Sequence, residues 1–90
     1  MLSRSFTIRN TLGLHARPSA QITQVASRFQ SEVFLAKNGR RVNAKSIMGV
    51  MMLAAGCGSM VTVETSGSDE EQAMVAVGSL IESGFGEELA

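Results

Sequence analysis

The chain is poor in everything that cross-links a protein, chelates a metal or anchors it in a membrane. It has one cysteine, Cys57, which excludes an internal disulfide framework and a thiolate zinc cluster. Lys plus Arg equal Asp plus Glu at 8 each, so no overall charge draws the chain to nucleic acid or an anionic membrane. The first residues, Met1-Leu2-Ser3-Arg4-Ser5-Phe6, contain no apolar run, and no stretch approaches the ~20 residues that span a bilayer. Nothing has the histidine–cysteine or histidine–carboxylate spacing of a metal site, so no metal and no cofactor are expected. With 90 residues, there is no room for a nucleotide site, a substrate pocket and a regulatory domain together. The expectation is one soluble, cytoplasmic domain over residues 1–90, monomeric, acting through one surface.

What is present alternates between two periodicities. Residues 3–9 place Phe6 and Ile8 on one face and Ser5, Thr7 and Arg9 on the other, as a half-buried strand does. From Ala16 to Phe29 the apolar residues Ile22, Val25, Ala26 and Phe29 form a helical stripe. Pro18, the only proline, is tolerated only in a first turn, so this helix starts just before it and His15 lies at or beside the N-cap. Glu32 to Lys37 and Arg40 to Ala44 read as strands joined by Asn38-Gly39, a strong hairpin signal. Ser46 is placed to cap a helix over Ile47–Ala55 that Gly56 ends. Met60 to Thr65 reads as the last strand. A capping box of Ser68 and Glu71 then opens a helix with Ala73, Met74, Val77, Leu80 and Ile81 buried, and Phe85 folds back after Gly84. The class is α+β, a sheet covered by helices on one side, with the strand order left open.

His15 is the only histidine, set in Leu12-Gly13-Leu14-His15-Ala16-Arg17-Pro18. An arbitrary lone histidine at a helix start is most often just a surface residue. Here helix stability alone would favour Ser, Thr, Asp or Asn as the cap. Free N–H groups at the helix start, with the helix dipole, make an anion site, and Arg17 can add charge-assisted donors to it. The dipole contributes only about 0.3–1 kcal/mol, which suits a group that must later be released.

Gly13-Leu14-His15-Ala16-Arg17-Pro18 resembles the active-site motif of the HPr family, the histidine phosphocarriers of the bacterial phosphotransferase system. The resemblance runs the length of the chain and includes Asn38-Gly39, Ala44-Lys45-Ser46-Ile47-Met48-Gly49-Val50-Met51 and the acidic start of the last helix at 69–71. It implies an open-faced β-sandwich of four antiparallel strands with three helices on one face, in the order βαββαβα. It further implies that His15 takes phosphate on Nδ1 from phospho-Enzyme I, that Arg17 and the backbone of Ala16 and Arg17 steady it, and that an enzyme IIA protein receives it. The chain would then be a stoichiometric carrier rather than an enzyme. A regulatory binding module of the same fold, Crh-like or of the nitrogen branch, is the other possibility; paralogues without the active histidine act through contacts alone, and His15 argues for carrying. Leu12 and the tail Ser83-Gly84-Phe85-Gly86-Glu87-Glu88 resemble nitrogen-branch members (the NPr type), whereas the Ser46 segment resembles HPr of sugar or kinase-linked systems.

Ser46 taken alone is an ordinary helix cap. The resemblance implies a regulatory site for HPr kinase/phosphorylase, where a phosphoserine adds about −1.5 to −2 charges beside a docking surface. Ile47, Met48, Met51 and Met52 cover adjoining faces of a short helix, so about half are expected in the core and the rest in a pliable patch for partners. Arg40, Arg41 and Lys45 read as a solvated basic edge, and Cys57 as a small filler in a turn.

Overall fold

The computed structural model describes residues 1–90. Four strands, β1 (Leu2–Thr7), β2 (Glu32–Lys37), β3 (Arg40–Asn43) and β4 (Met60–Ser66), form one antiparallel sheet in the order β1-β4-β2-β3. Pairing register decides which residues point inward, because side chains alternate along a strand. Val33 and Leu35 of β2, Val61 and Val63 of β4 and Phe6 of β1 are buried under the helices. The other face stays open and polar. There Ser5 and Thr62 hydroxyls meet at 3.1 Å, and Arg41 lies over the Phe34 ring at 3.7 Å while its Nε donates to Glu64 Oε1 at 2.8 Å. Strand–helix alternation, the Asn38-Gly39 turn with both residues at positive φ, and the βαββαβα order all follow the sequence pattern.

Three helices cover the inner face: α1 (Ala16–Ala26), α2 (Ile47–Met52) and α3 (Glu70–Glu82). α1 buries Ile22 and Ala26, and α3 buries Ala73, Met74, Val77 and Ile81. At Gly78 helix and sheet approach so closely that a Cβ would lie 2.5 Å from the Phe6 ring. A 3-10 turn over Gly84–Gly86 follows α3 and buries Phe85. The tail then pairs back onto the first loop, with Thr11 N–H donating to Glu88 O at 2.9 Å and Ala90 N–H to Arg9 O at 3.1 Å. This last pairing brings the C-terminal tail to the loop that precedes α1.

Several local expectations are corrected. α2 ends at Met52, not Ala55, because Leu53 and Ala55 turn into the core and the chain reverses at Ala54 (φ 50) rather than Gly56. All four of Ile47, Met48, Met51 and Met52 are exposed, and Val50 takes the buried place instead. No Ser68–Glu71 capping box forms. Asp69 is the N-cap of α3, Glu70 Oε1 accepts from Gly67 N–H at 3.1 Å, and the Asp69 carboxylate reaches across to the loop after α1. There it accepts from the N–H groups of Gln30 (3.0 Å) and Ser31 (2.9 Å) and from the Ser31 hydroxyl. An ionised carboxylate makes charge-assisted bonds with those donors, which fastens the start of α3 to the loop after α1. The basic edge does lie at the surface, Arg40 and Arg41 exposed and Lys45 half-buried, and each has a partner: Arg40 donates to Met52 O, Lys45 Nζ to Phe29 O, and Arg41 pairs with Glu64. Cys57 is exposed rather than packed.

The Ser31 hydroxyl first, then the Gln30 N–H, holds the Asp69 carboxyl below the usual carboxylate range. A depressed folded value contributes stability above the unfolded value near 3.9 and loses it as pH falls through the folded value. Asp69→Asn is therefore expected to lower the melting temperature at pH 7 and to flatten the acid limb of stability below about pH 4. Thermal melts of both proteins between neutral and strongly acid pH check this.

Candidate functional site

The loop before α1 is built around Gly13. Its φ of +70° suits glycine, and a Cβ there would lie 2.6 Å from Ala55 O and 2.8 Å from Gly56 Cα. That close approach lets Leu14 N–H donate to Ala55 O at 2.9 Å, which pins the loop to the segment after α2. Leu14 drops into the core, and His15 follows as the N-cap with extended backbone (φ −82°, ψ −169°). The imidazole makes no capping bond, and no acidic residue occupies the first turn. The Ala16 and Arg17 N–H groups therefore have neither a helical nor a loop acceptor. Pro18, third in the helix, has no N–H to offer. An anion at this end meets two backbone donors and the positive end of the α1 dipole.

The other side of the ring is occupied by a residue 72 positions away. His15 Nε2 lies 3.0 Å from both carboxylate oxygens of Glu87. An ionised carboxylate only accepts, so the Nε2 nitrogen carries the proton and donates. The neutral ring then keeps its lone pair on Nδ1, which has no hydrogen-bond partner within the protein. Glu87 is itself held by Asn10, whose Nδ2 donates to Glu87 Oε1 at 3.0 Å and to Gly13 O at 2.8 Å. Both contacts of that amide are acceptors, which fixes which end is nitrogen. The His15 donor foremost, then Asn10 and the Arg17 charge, holds the Glu87 carboxyl below the usual range against the opposing effect of burial. Arg17 NH1 stands 3.9 Å from Glu87 Oε2, on a side chain 65% exposed. That loose pair leaves the guanidinium free to reach an incoming anion. Thr11, Leu12, His15, Arg17, Glu87 and Glu88 line one shallow recess.

Neither Glu87 nor Asn10 stood out in the sequence as part of the site. Asn10 reads as a strand-breaking loop residue and Glu87 as part of an acidic tail. Only the back-pairing of the tail puts them beside His15. Ser46 does cap α2, its Oγ accepting from Gly49 N–H at 3.1 Å, and it is exposed. The His15 loop is tied beyond the opposite end of α2, so about 9 Å of helix rise separates the two ends. Ile47, Met48, Met51 and Met52 form an exposed apolar face along that helix, Met48 at 69% and Met52 at 59%.

Residues 2–83 match the family model described as the PTS HPr component phosphorylation site. The chain belongs to the HPr family. It is 62% identical to the phosphocarrier protein HPr of Cupriavidus necator over 97% of this chain and 98% of that one. Among solved structures, HPr-C-His of Thermoanaerobacter tengcongensis superposes with a TM-score of 0.94 at 48% identity, covering 99% of this chain and all of that one. Crh of Bacillus subtilis, crystallised as a domain-swapped dimer, gives 0.76 at 43% identity over 93% and 97% of the chains. The fold is the open-faced sandwich of this family, and the function is that of a phosphocarrier of the phosphotransferase system. No helix is long and apolar enough to cross a membrane.

Because Gly13 sets both the loop turn and the approach to Ala55, Gly13→Ala is expected to cost about 1–3 kcal/mol. Urea denaturation would show this as a lower midpoint with an unchanged slope.

Proposed function

We propose that His15 receives a phosphoryl group on Nδ1 from phospho-Enzyme I and passes it to a histidine of an enzyme IIA protein, in the cytoplasm, with this chain acting as a monomer. The observation that carries it is the ring's setting. Nε2 is committed to Glu87, and Nδ1 keeps its lone pair at a helix start that has two spare N–H donors. On loading, the Nδ1 lone pair attacks phosphorus and the donor's bond to phosphorus breaks; on delivery, the acceptor histidine nitrogen attacks phosphorus and the Nδ1–P bond breaks. The Ala16 and Arg17 N–H groups and the Arg17 guanidinium offset the charge on the transferred group. The chain acts as a stoichiometric carrier, since positioning and charge are all that this step asks of it. The exposed face of Ile47, Met48, Met51 and Met52 is the docking surface, and thioethers suit it to more than one partner.

Phosphoenolpyruvate and a cognate Enzyme I should give an acid-labile label that is lost in His15→Ala. Arg17→Ala should slow transfer by roughly 10–100-fold, in line with losing a charge-assisted contact. Its stability should move by no more than about 0.5 kcal/mol, because the side chain is exposed. Label that survives His15→Ala would refute the assignment.

Ser46 is the regulatory site in the same proposal, phosphorylated by HPr kinase/phosphorylase. It is exposed, and its hydroxyl already lies at a helix start, where a phosphate is locally tolerated. Added charge beside Ile47 and Met48 would weaken docking without unfolding the domain. Incubation with the kinase and ATP should label the native chain and not Ser46→Ala, and the phosphorylated form should take phosphate from Enzyme I more slowly. Equal labelling of Ser46→Ala would exclude this site.

A further inference from the structure

Glu87 lies outside residues 2–83, the span that carries the family match, yet it makes the closest polar contacts to the His15 ring. It is held from three directions. Its backbone N–H donates to Gly84 O at 3.0 Å, next to the buried Phe85. The following residue, Glu88, accepts from Thr11 N–H. Its carboxylate accepts from Asn10, a side chain with no solvent exposure, and is itself only 11% exposed. A carboxylate fixed this firmly against one ring nitrogen does more than close a surface contact.

We propose that Glu87 is a positioning residue for phosphoryl transfer, keeping a proton on Nε2 of His15 both before and after Nδ1 carries the phosphoryl group. This deepens the assignment of Nδ1 as the acceptor and rests on it. In the free ring, the Glu87 acceptor makes Nε2–H the favoured tautomer, so the Nδ1 lone pair is available without prior proton loss. As the Nδ1–P bond forms, the donor's bond to phosphorus breaks and its electron pair stays with the donor. The Nε2 proton does not move, and the ring becomes a phosphoimidazolium whose positive charge faces the Glu87 carboxylate. On the way out the Nδ1–P bond breaks, its electron pair returns to Nδ1, and neutral imidazole leaves with the same proton still on Nε2. Without an acceptor at Nε2, part of the free protein would hold its proton on Nδ1 and could not attack. Part of the phosphorylated protein would lose the Nε2 proton and would have to expel an imidazolate, a poor leaving group.

The test uses the full chain and two variants. Glu87→Gln keeps the length of the side chain but adds an N–H₂ that supports the opposite ring tautomer equally well. Glu87→Asp keeps the carboxylate. In ¹⁵N-labelled protein above the pH where the ring titrates, wild type should show Nε2 as the proton-bearing nitrogen, and Glu87→Gln should show the proton shared between both. Single-turnover transfer from phospho-Enzyme I and back to it should slow roughly 10–100-fold in Glu87→Gln. Glu87→Asp should recover most of the wild-type tautomer and rate. Wild-type tautomer and rates in Glu87→Gln overturn the proposal. So does a slower Glu87→Gln whose ring tautomer is unchanged, or an equal loss in both variants accompanied by equal loss of melting temperature, since each marks a purely structural tail. If wild-type His15 takes no phosphoryl group at all, the carrier assignment itself fails, a result separate from these.

Discussion

One face of a four-stranded sheet has to be removed from water, and that burial sets where everything else can go. Val33, Leu35, Val61 and Val63 are fully covered by three helices lying on one side. Each such side chain contributes about 1.5–3 kcal/mol relative to staying exposed. Helices fixed this way must begin and end at the rim of the sheet, where loops, free N–H groups and exposed side chains collect. The start of α1 is one of these rim positions. Its loop is held by Leu14 in the core, by the Leu14–Ala55 backbone bond and by the absence of a side chain at Gly13.

On that rim the electrostatics are modest by design of the elements rather than through a deep pocket. Two N–H groups, a helix dipole and one mobile guanidinium hold an anion without enclosing it. A carrier needs its bound group to remain reachable by another protein, and an open recess meets that need. The carboxylate of Glu87 lies at the opposite edge of the ring, where it acts on Nε2 rather than on the anion. Donor and acceptor roles are thus divided between the two nitrogens of one imidazole.

The periodic parts of the fold were legible, and so was His15 as a cap, because a proline limits a helix start whatever surrounds it. Asn38-Gly39 set its hairpin for a similarly local reason. Misreadings arose where long-range packing overrode a local preference. Burial of Leu53 and Ala55 shortened α2, and α3 began after Asp69, whose carboxylate ties the loop at Gln30 and Ser31, rather than with a Ser68–Glu71 capping box. The four side chains of α2 expected to divide between core and surface all stayed out, since Val50 with Leu53 already meets the core.

By itself the sequence determined the element order, the place of His15 at the head of α1 and the family resemblance, because helix starts, turns and alternation depend on neighbours a few residues apart. Tertiary structure alone decided the strand order, the exposure of the methionine face and the company His15 keeps. Glu87 is 72 residues from His15 along the chain, and no local propensity relates them. They meet because buried Phe85 and the pairing of residues 88–90 with 9–11 bring the tail across the molecule.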